Sequence, residues 1–259
     1  MITNNQSGTR IDEIESGIYR ISTPLPPEAF PGGFSFNQFL VVDDEPLLFH
    51  TGPRALFPLV REAIDSVIPA RSLKWIGFSH VESDESGALN DFLRIAPESA
   101  AVCSQVAAMV SVNDLADRPP RPLADGEALV LGQRTMVWID APHVPHNWET
   151  GFMLEATTRT LFCGDLFTQG GHQCEPLTGS DILESSEAFR LGGIEGGMPD
   201  YFSFAPDTRA VIGRMAETSP RTLACMHGSS WRASNGGSAA SMMNELGDRL
   251  SAGSRPGLA

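Results

Sequence analysis

The feature that most constrains this chain is a six-residue stretch, His80-Val81-Glu82-Ser83-Asp84-Glu85, placed where an apolar run ends. The run before it, Leu73 to Ser79, reads as a buried strand. Alternate side chains of an extended backbone point the same way, so His80, Glu82 and Asp84 can converge just beyond the strand's end. An imidazole and two carboxylates crowded together are unfavourable unless a cation sits among them. A metal ion is the obvious cation.

Three later positions fit the same design. The run Thr135 to Asp140 leads into the loop that carries His143 and His146, Thr160 to Gly164 runs into Asp165, and Thr222 to Met226 runs into His227. Each run releases a ligand-type side chain at or just past its C-terminal end. That edge is where open α/β sheets build their sites. Four such coincidences in one chain predict a metal centre.

The 259 residues are 41% hydrophobic, enough to bury one sizeable core, which predicts a single domain over residues 1–259. The formal net charge of -14 argues against nucleic acid or an anionic membrane as partner, because both reward basic surfaces. No apolar run approaches the roughly 20 residues of a membrane-spanning helix. The first residues lack the charged and apolar regions of a signal peptide, so a cytoplasmic location is expected. The four cysteines show no CxxC spacing and are expected to stay reduced there. Cys163 and Cys225 read as small buried hydrophobes, with thiolate ligation as the alternative.

Strand patterns cover Gly17 to Ile21, Phe36 to Val42 and Glu45 to His50. Helical spacing follows at Leu56, Leu59, Val60, Ile64 and Val67, and again through Leu89, Phe92 and Leu93. A second strand and helix run from Ala100 to about Val112, and the proline-rich stretch Asp117 to Pro122 reads as a linker or surface loop. Short strands dominate to about Phe162. A helix near Asp207 to Met215, a strand at Thr222 to Met226 and an amphipathic helix near Ala239 to Leu250 complete the pattern. Ser251 to Ala259 look frayed. Grouped strands flanked by helices suggest two sheets packed face to face and covered outside by helices.

These motifs resemble the metallo-β-lactamase superfamily and, within it, the diiron domain of flavodiiron proteins. That domain carries His-x-Glu-x-Asp-His, followed by a His, an Asp and a His. The matching residues here are His80, Glu82 and Asp84, then His146, Asp165 and His227, with a similar closing segment from His227 to Arg232. The resemblance covers roughly Gly17 to Leu250, taken as the domain core at about 17–250, and implies a metallo-β-lactamase-type αββα four-layer sandwich. It also implies two iron ions. One would be held by His80, Glu82, His146 and Asp165, the other by Asp84, Asp165 and His227, with Asp165 bridging.

Two departures stand out. The family's second motif histidine is Glu85 here, which coordinates, stands behind the ligands, or opens the following helix at its positive dipole end. The family's flavodoxin domain is not expected, and with it no FMN, so the stand-alone oxygen-binding diiron protein is the nearer relative in architecture. His143 reads as a donor behind the ligands or a ligand itself. His172 is a solvated loop residue or reaches the site from above. His50 looks like a structural turn residue, and Trp148 and Phe167 either shield the pocket or belong to the core.

Glu82 stands where hydrolases of the superfamily typically carry a histidine. A hard anionic oxygen favours iron or manganese over zinc. The resemblance therefore implies a non-haem diiron protein that binds dioxygen or nitric oxide and reduces it with electrons from an external donor protein. Without a donor the same site suits an oxygen sensor coupled to a signalling partner. A zinc-dependent hydrolase with a metal-activated hydroxide is the alternative. A homodimer is also implied by the resemblance.

Overall fold

Alternating apolar residues in two separate stretches of the chain build two sheets, and the faces they bury decide the layering. The computed structural model describes residues 1–233 and 237–252. The first sheet runs in sequence order through β1 (Arg10–Glu15), β2 (Ile18–Leu25), β3 (Phe34–Val41), β4 (Leu47–Phe49), β5 (Trp75–Gly77), β6 (Ala100–Ser104) and β7 (Arg121–Leu123). Pairing is antiparallel from β1 to β4 and parallel from β4 to β7. The second sheet contains β8 (Ala128–Val130), β9 (Thr135–Asp140), β10 (Gly151–Glu155), β11 (Thr160–Phe162), β12 (Leu177–Thr178), β13 (Thr222–Ala224) and β14 (Ser230–Arg232). Its spatial order is β12-β14-β13-β11-β10-β9-β8.

Phe39, Val41 and Phe49 of the first sheet pack against Met136, Trp138, Met153 and Phe162 of the second, all fully buried. Burying one such side chain contributes about 1.5–3 kcal/mol. The first sheet's outer face, with Leu40, Leu48 and Ile76, is covered by α1 (Phe57–Asp65) and α3 (Leu89–Ile95), and the single turn α2 (Ser83–Ser86) lies between them in the chain. The short α4 (Gln105–Ala107) and α5 (Asn113–Leu115), joined by a π-helical turn at Ala108–Val112, complete that layer. Leu161 and Leu223 on the outer face of the second sheet meet α6 (Ile182–Glu195), α7 (Thr208–Glu217) and α8 (Ala239–Ala252). The result is the αββα sandwich expected from the sequence.

Three elements differ from the sequence reading. The expected linker ends in a strand, β7, where Pro122 is tolerated because β7 is a sheet edge with no further neighbour to bond. The first sheet begins at Arg10, ahead of the expected start near Gly17. Helix α6 buries Ser186 and Glu187 beside Ile182 and Leu183, a mixed face without the apolar periodicity that betrays a helix in sequence. Ser251 and Ala252 of the expected frayed end close α8, and residues 253–259 lie outside the described residues. No described helix is long and apolar enough to cross a membrane.

Candidate metal centre

Strand β5 stops at Gly77, and the N–H groups beyond it need acceptors. Glu85 supplies them. The turn α2 carries its carboxylate back to accept from Ser79 N at 2.9 Å, His80 N at 2.8 Å and the Ser79 hydroxyl at 2.7 Å, all on Oε2. Its other oxygen lies 3.3 Å from His80 Nδ1 and 3.6 Å from His50 Nε2. Glu85 is fully buried, and burial pushes its pKa up to about 7. The carboxylate thus sits behind His80 and turns the ring so that Nε2 faces outward.

At the edge where the sheets end, four side chains bring one ligand atom each within 4.8 Å of one another: His80, Glu82, His146 and Asp165. Glu82 Oε2 is 2.8 Å from His80 Nε2 and 3.2 Å from His146 Nε2. Asp165 Oδ2 lies 3.8 Å and 3.7 Å from the same two nitrogens. The opposite oxygen, Oδ1, is 3.1 Å from His227 Nε2, which also lies 3.4 Å from Asp84 Oδ2. The expected convergence of His80, Glu82 and Asp84 on one point is therefore divided. Glu82 is still extended, but α2 begins at Ser83 and its helical turn rotates Asp84 towards His227.

Asp165 reaches this position through Gly164, whose φ of +48° only glycine adopts at little cost. A Cβ there would lie 2.4 Å from the Ser79 hydroxyl oxygen. The histidines are held by backbone carbonyls. His146 Nδ1 donates to Tyr201 O at 3.0 Å and His227 Nδ1 to Ser35 O at 2.8 Å. Phe34 stacks on the His227 ring at 4.3 Å.

With both Nδ1 atoms turned to acceptors, the Nε2 lone pairs of His80 and His146 face each other across 2.9 Å. A cation is what such a geometry accommodates, and nitrogen and carboxylate ligands are its usual donors. Asp84 Oδ1 is buried with no hydrogen-bond partner among the described residues, as a ligand oxygen awaiting a cation would be. Without a cation, protons on the imidazoles would balance the carboxylates. Burial opposes charge on His80, yet Glu85 and Glu82 hold its pKa up at about 10. Burial opposes it on His227 too, where Asp165 and Asp84 have the same effect, again to about 10. Hydrogen bonds from His146 and His80 depress Glu82 to about 2. His80, Glu82, His146 and Asp165 could hold a metal ion, with Asp84 and His227 grouped at the other oxygen of Asp165.

The other sequence candidates are not part of this four-residue group. His143 is exposed, and its backbone N–H donates to Asn147 O. His172 is half-buried on its loop, with its ring against Gly33. Trp148 is 54% exposed rather than shielding, whereas Phe167 belongs to the core. His50 is fully buried behind Glu85, and burial lowers its pKa to about 3. Tyr201 and Ser35 escape sequence reasoning because they act through backbone carbonyls, which every residue carries.

A four-layer sandwich with a histidine and carboxylate cluster at the shared edge of its sheets defines a metallo-β-lactamase-type protein with a flavodiiron-like core. The profile described as ODP family beta lactamase matches residues 34–228, and the chain belongs to that family. Diflavin flavoprotein A 1 of Synechocystis sp. (strain PCC 6803) is 26% identical over 190 residues, covering 71% of this chain and 31% of that protein. Anaerobic nitric oxide reductase flavorubredoxin of Aliivibrio fischeri is 24% identical over 159 residues, covering 60% and 31%. Rubredoxin oxygen:oxidoreductase from Desulfovibrio gigas superposes with a TM-score of 0.71 at 19% identity, over 93% of this chain and 60% of that one. The chain spans about a third of the length of the curated relatives it matches.

Proposed function

We propose that this chain is a non-haem diiron protein that binds dioxygen or nitric oxide and reduces it with electrons from a redox donor. The observation that carries the reading is Asp165, whose two oxygens face different histidine sets, His80 with His146 and His227 alone. A carboxylate so placed can serve two ions at once. Glu82 adds a hard anionic donor where an imidazole would favour zinc, which supports iron. Two relatives are named for the reduction of nitric oxide and of oxygen.

A bound iron pair would supply the electrons that pass to the gas. The chain's own part is positional. Glu85, Tyr201 O and Ser35 O orient the three imidazoles, while Phe34 and Phe36 flank His227 and limit water. With no donor the same residues would bind the gas without turnover, as a sensor does.

Metal analysis of protein from iron-replete cells, followed by oxygen and nitric oxide consumption with a reduced donor, tests this. Two irons per chain and multiple turnovers are expected. Zinc alone, with no spectral response to oxygen, would point to a hydrolase instead.

A further inference from the structure

Two buried thiols lie outside the ligand set. Cys163 and Cys225 stand one residue beyond the last registered pair of the parallel strands β11 and β13, Phe162 with Ala224. Each precedes a ligand candidate by two residues, Asp165 and His227. Their sulfurs are 3.8 Å apart, and neither side chain has any exposure. The backbone on both sides is locked, with Cys163 N bonded to Ala224 O at 3.2 Å and Met226 N to Gly164 O at 3.0 Å.

We propose that Cys163 and Cys225 form a reversible dithiol–disulfide couple at the root of the strand ends that carry Asp165 and His227. Neighbouring strands run about 4.8 Å apart. That spacing falls within the Cα separation of about 4.4–6.8 Å that a disulfide spans. Rotation of the two side chains can therefore bring the sulfurs from 3.8 Å to bonding distance while the strand register stays as it is. Full burial selects the oxidant. A bulky disulfide such as oxidised glutathione is excluded, so the proposed oxidant is hydrogen peroxide, a small neutral molecule.

The step balances. One sulfur attacks a peroxide oxygen, becomes a sulfenic acid and releases water. The second sulfur attacks the first, forms the S–S bond and releases a second water. The two sulfurs lose two electrons, and peroxide gains them.

The test is a peptide map of the full chain carrying Cys174→Ser, needed because Cys174 shares the tryptic segment 160–190 with Cys163. Protein exposed to hydrogen peroxide is unfolded in an alkylating agent and digested. Segments 160–190 and 222–232 are expected joined, lighter by two hydrogens, and separated again by a reductant. Complete alkylation of both cysteines, or separate sulfinic acids without a link, overturns the proposal. The map is made on metal-free and metal-loaded protein, so the link is scored whether or not the centre holds iron. A Cys225→Ala variant should leave Cys163 unlinked.

Discussion

The Nε2 atoms of His80 and His146, 66 positions apart in the chain, stand 2.9 Å from each other. Each ring is turned by a partner behind it, Glu85 for His80 and the Tyr201 carbonyl for His146. Neither ring can turn away from the other without giving up that partner. The site is thus preorganised for a cation, and the consequences can be measured.

Asp165 should matter to both ions and Asp84 to one. Asp165→Ala is expected to empty the centre, whereas Asp84→Ala leaves about one metal per chain, held by His80, Glu82, His146 and Asp165. Elemental analysis after exhaustive dialysis reads the difference. Equal losses in the two variants would show that Asp165 does not bridge.

Glu85→Gln keeps an acceptor for the buried N–H groups but removes the charge behind His80. Metal affinity should fall roughly 10- to 100-fold, as for other partners that orient a ligand. Glu85→Ala orphans the N–H groups of Ser79 and His80 as well. It should cost about 1–3 kcal/mol for each donor left unpaired. Competition with a chromophoric chelator gives the first number and denaturant unfolding the second.

Metal affinity should rise with pH. The folded-state pKa values of His80 and His227 lie near 10, above the ordinary 6.5. The stability these proton-held contacts give the metal-free chain is fully present below pH 6.5 and is lost as pH rises through 10. Metal must displace those protons, so binding strengthens across the same window and releases protons. Calorimetry in buffers of different ionisation enthalpy counts them, and a pH-independent affinity would contradict the assignment.

Gly164→Ala places a Cβ against the Ser79 hydroxyl at a φ that alanine resists. A loss of about 1–3 kcal/mol is expected, with reduced metal content because Asp165 is displaced. Thermal unfolding and elemental analysis on one sample check both effects together.

Glu82→His exchanges an anionic oxygen for a nitrogen. Iron retention should weaken and the site should shift towards zinc. Full iron content and unchanged oxygen reactivity in this variant would refute the argument from ligand hardness.

Much of the fold was legible. Apolar runs at Thr160–Phe162 and Thr222–Ala224 announce strands, and the polar residues that follow them lie at the sheet edge where they were expected. Less legible was β7, because proline reads as a breaker until the strand is known to be an edge. Helix α6 was hidden by its mixed buried face. Within the site, Asp84 looked like a companion of His80 and Glu82 until the turn of α2 carried it towards His227. Glu85 read as a ligand, a group behind the ligands or a helix opener, and its carboxylate accepts from the N–H groups left at the end of β5 beside His80.

Ligand chemistry and chain order are properties of local sequence, because a residue's donor atoms and the strand that precedes it depend on a few neighbours. His80, Glu82, His146, Asp165 and His227 could all be named on those grounds. Which atoms meet is another matter. The apposition of His80 and His146, the exclusion of His143 and His172, and the carbonyls of Tyr201 and Ser35 depend on how two sheets pack across residues far apart in the chain. Backbone carbonyls carry no residue-type signal, so only the folded chain reveals which of them hold the imidazoles in place.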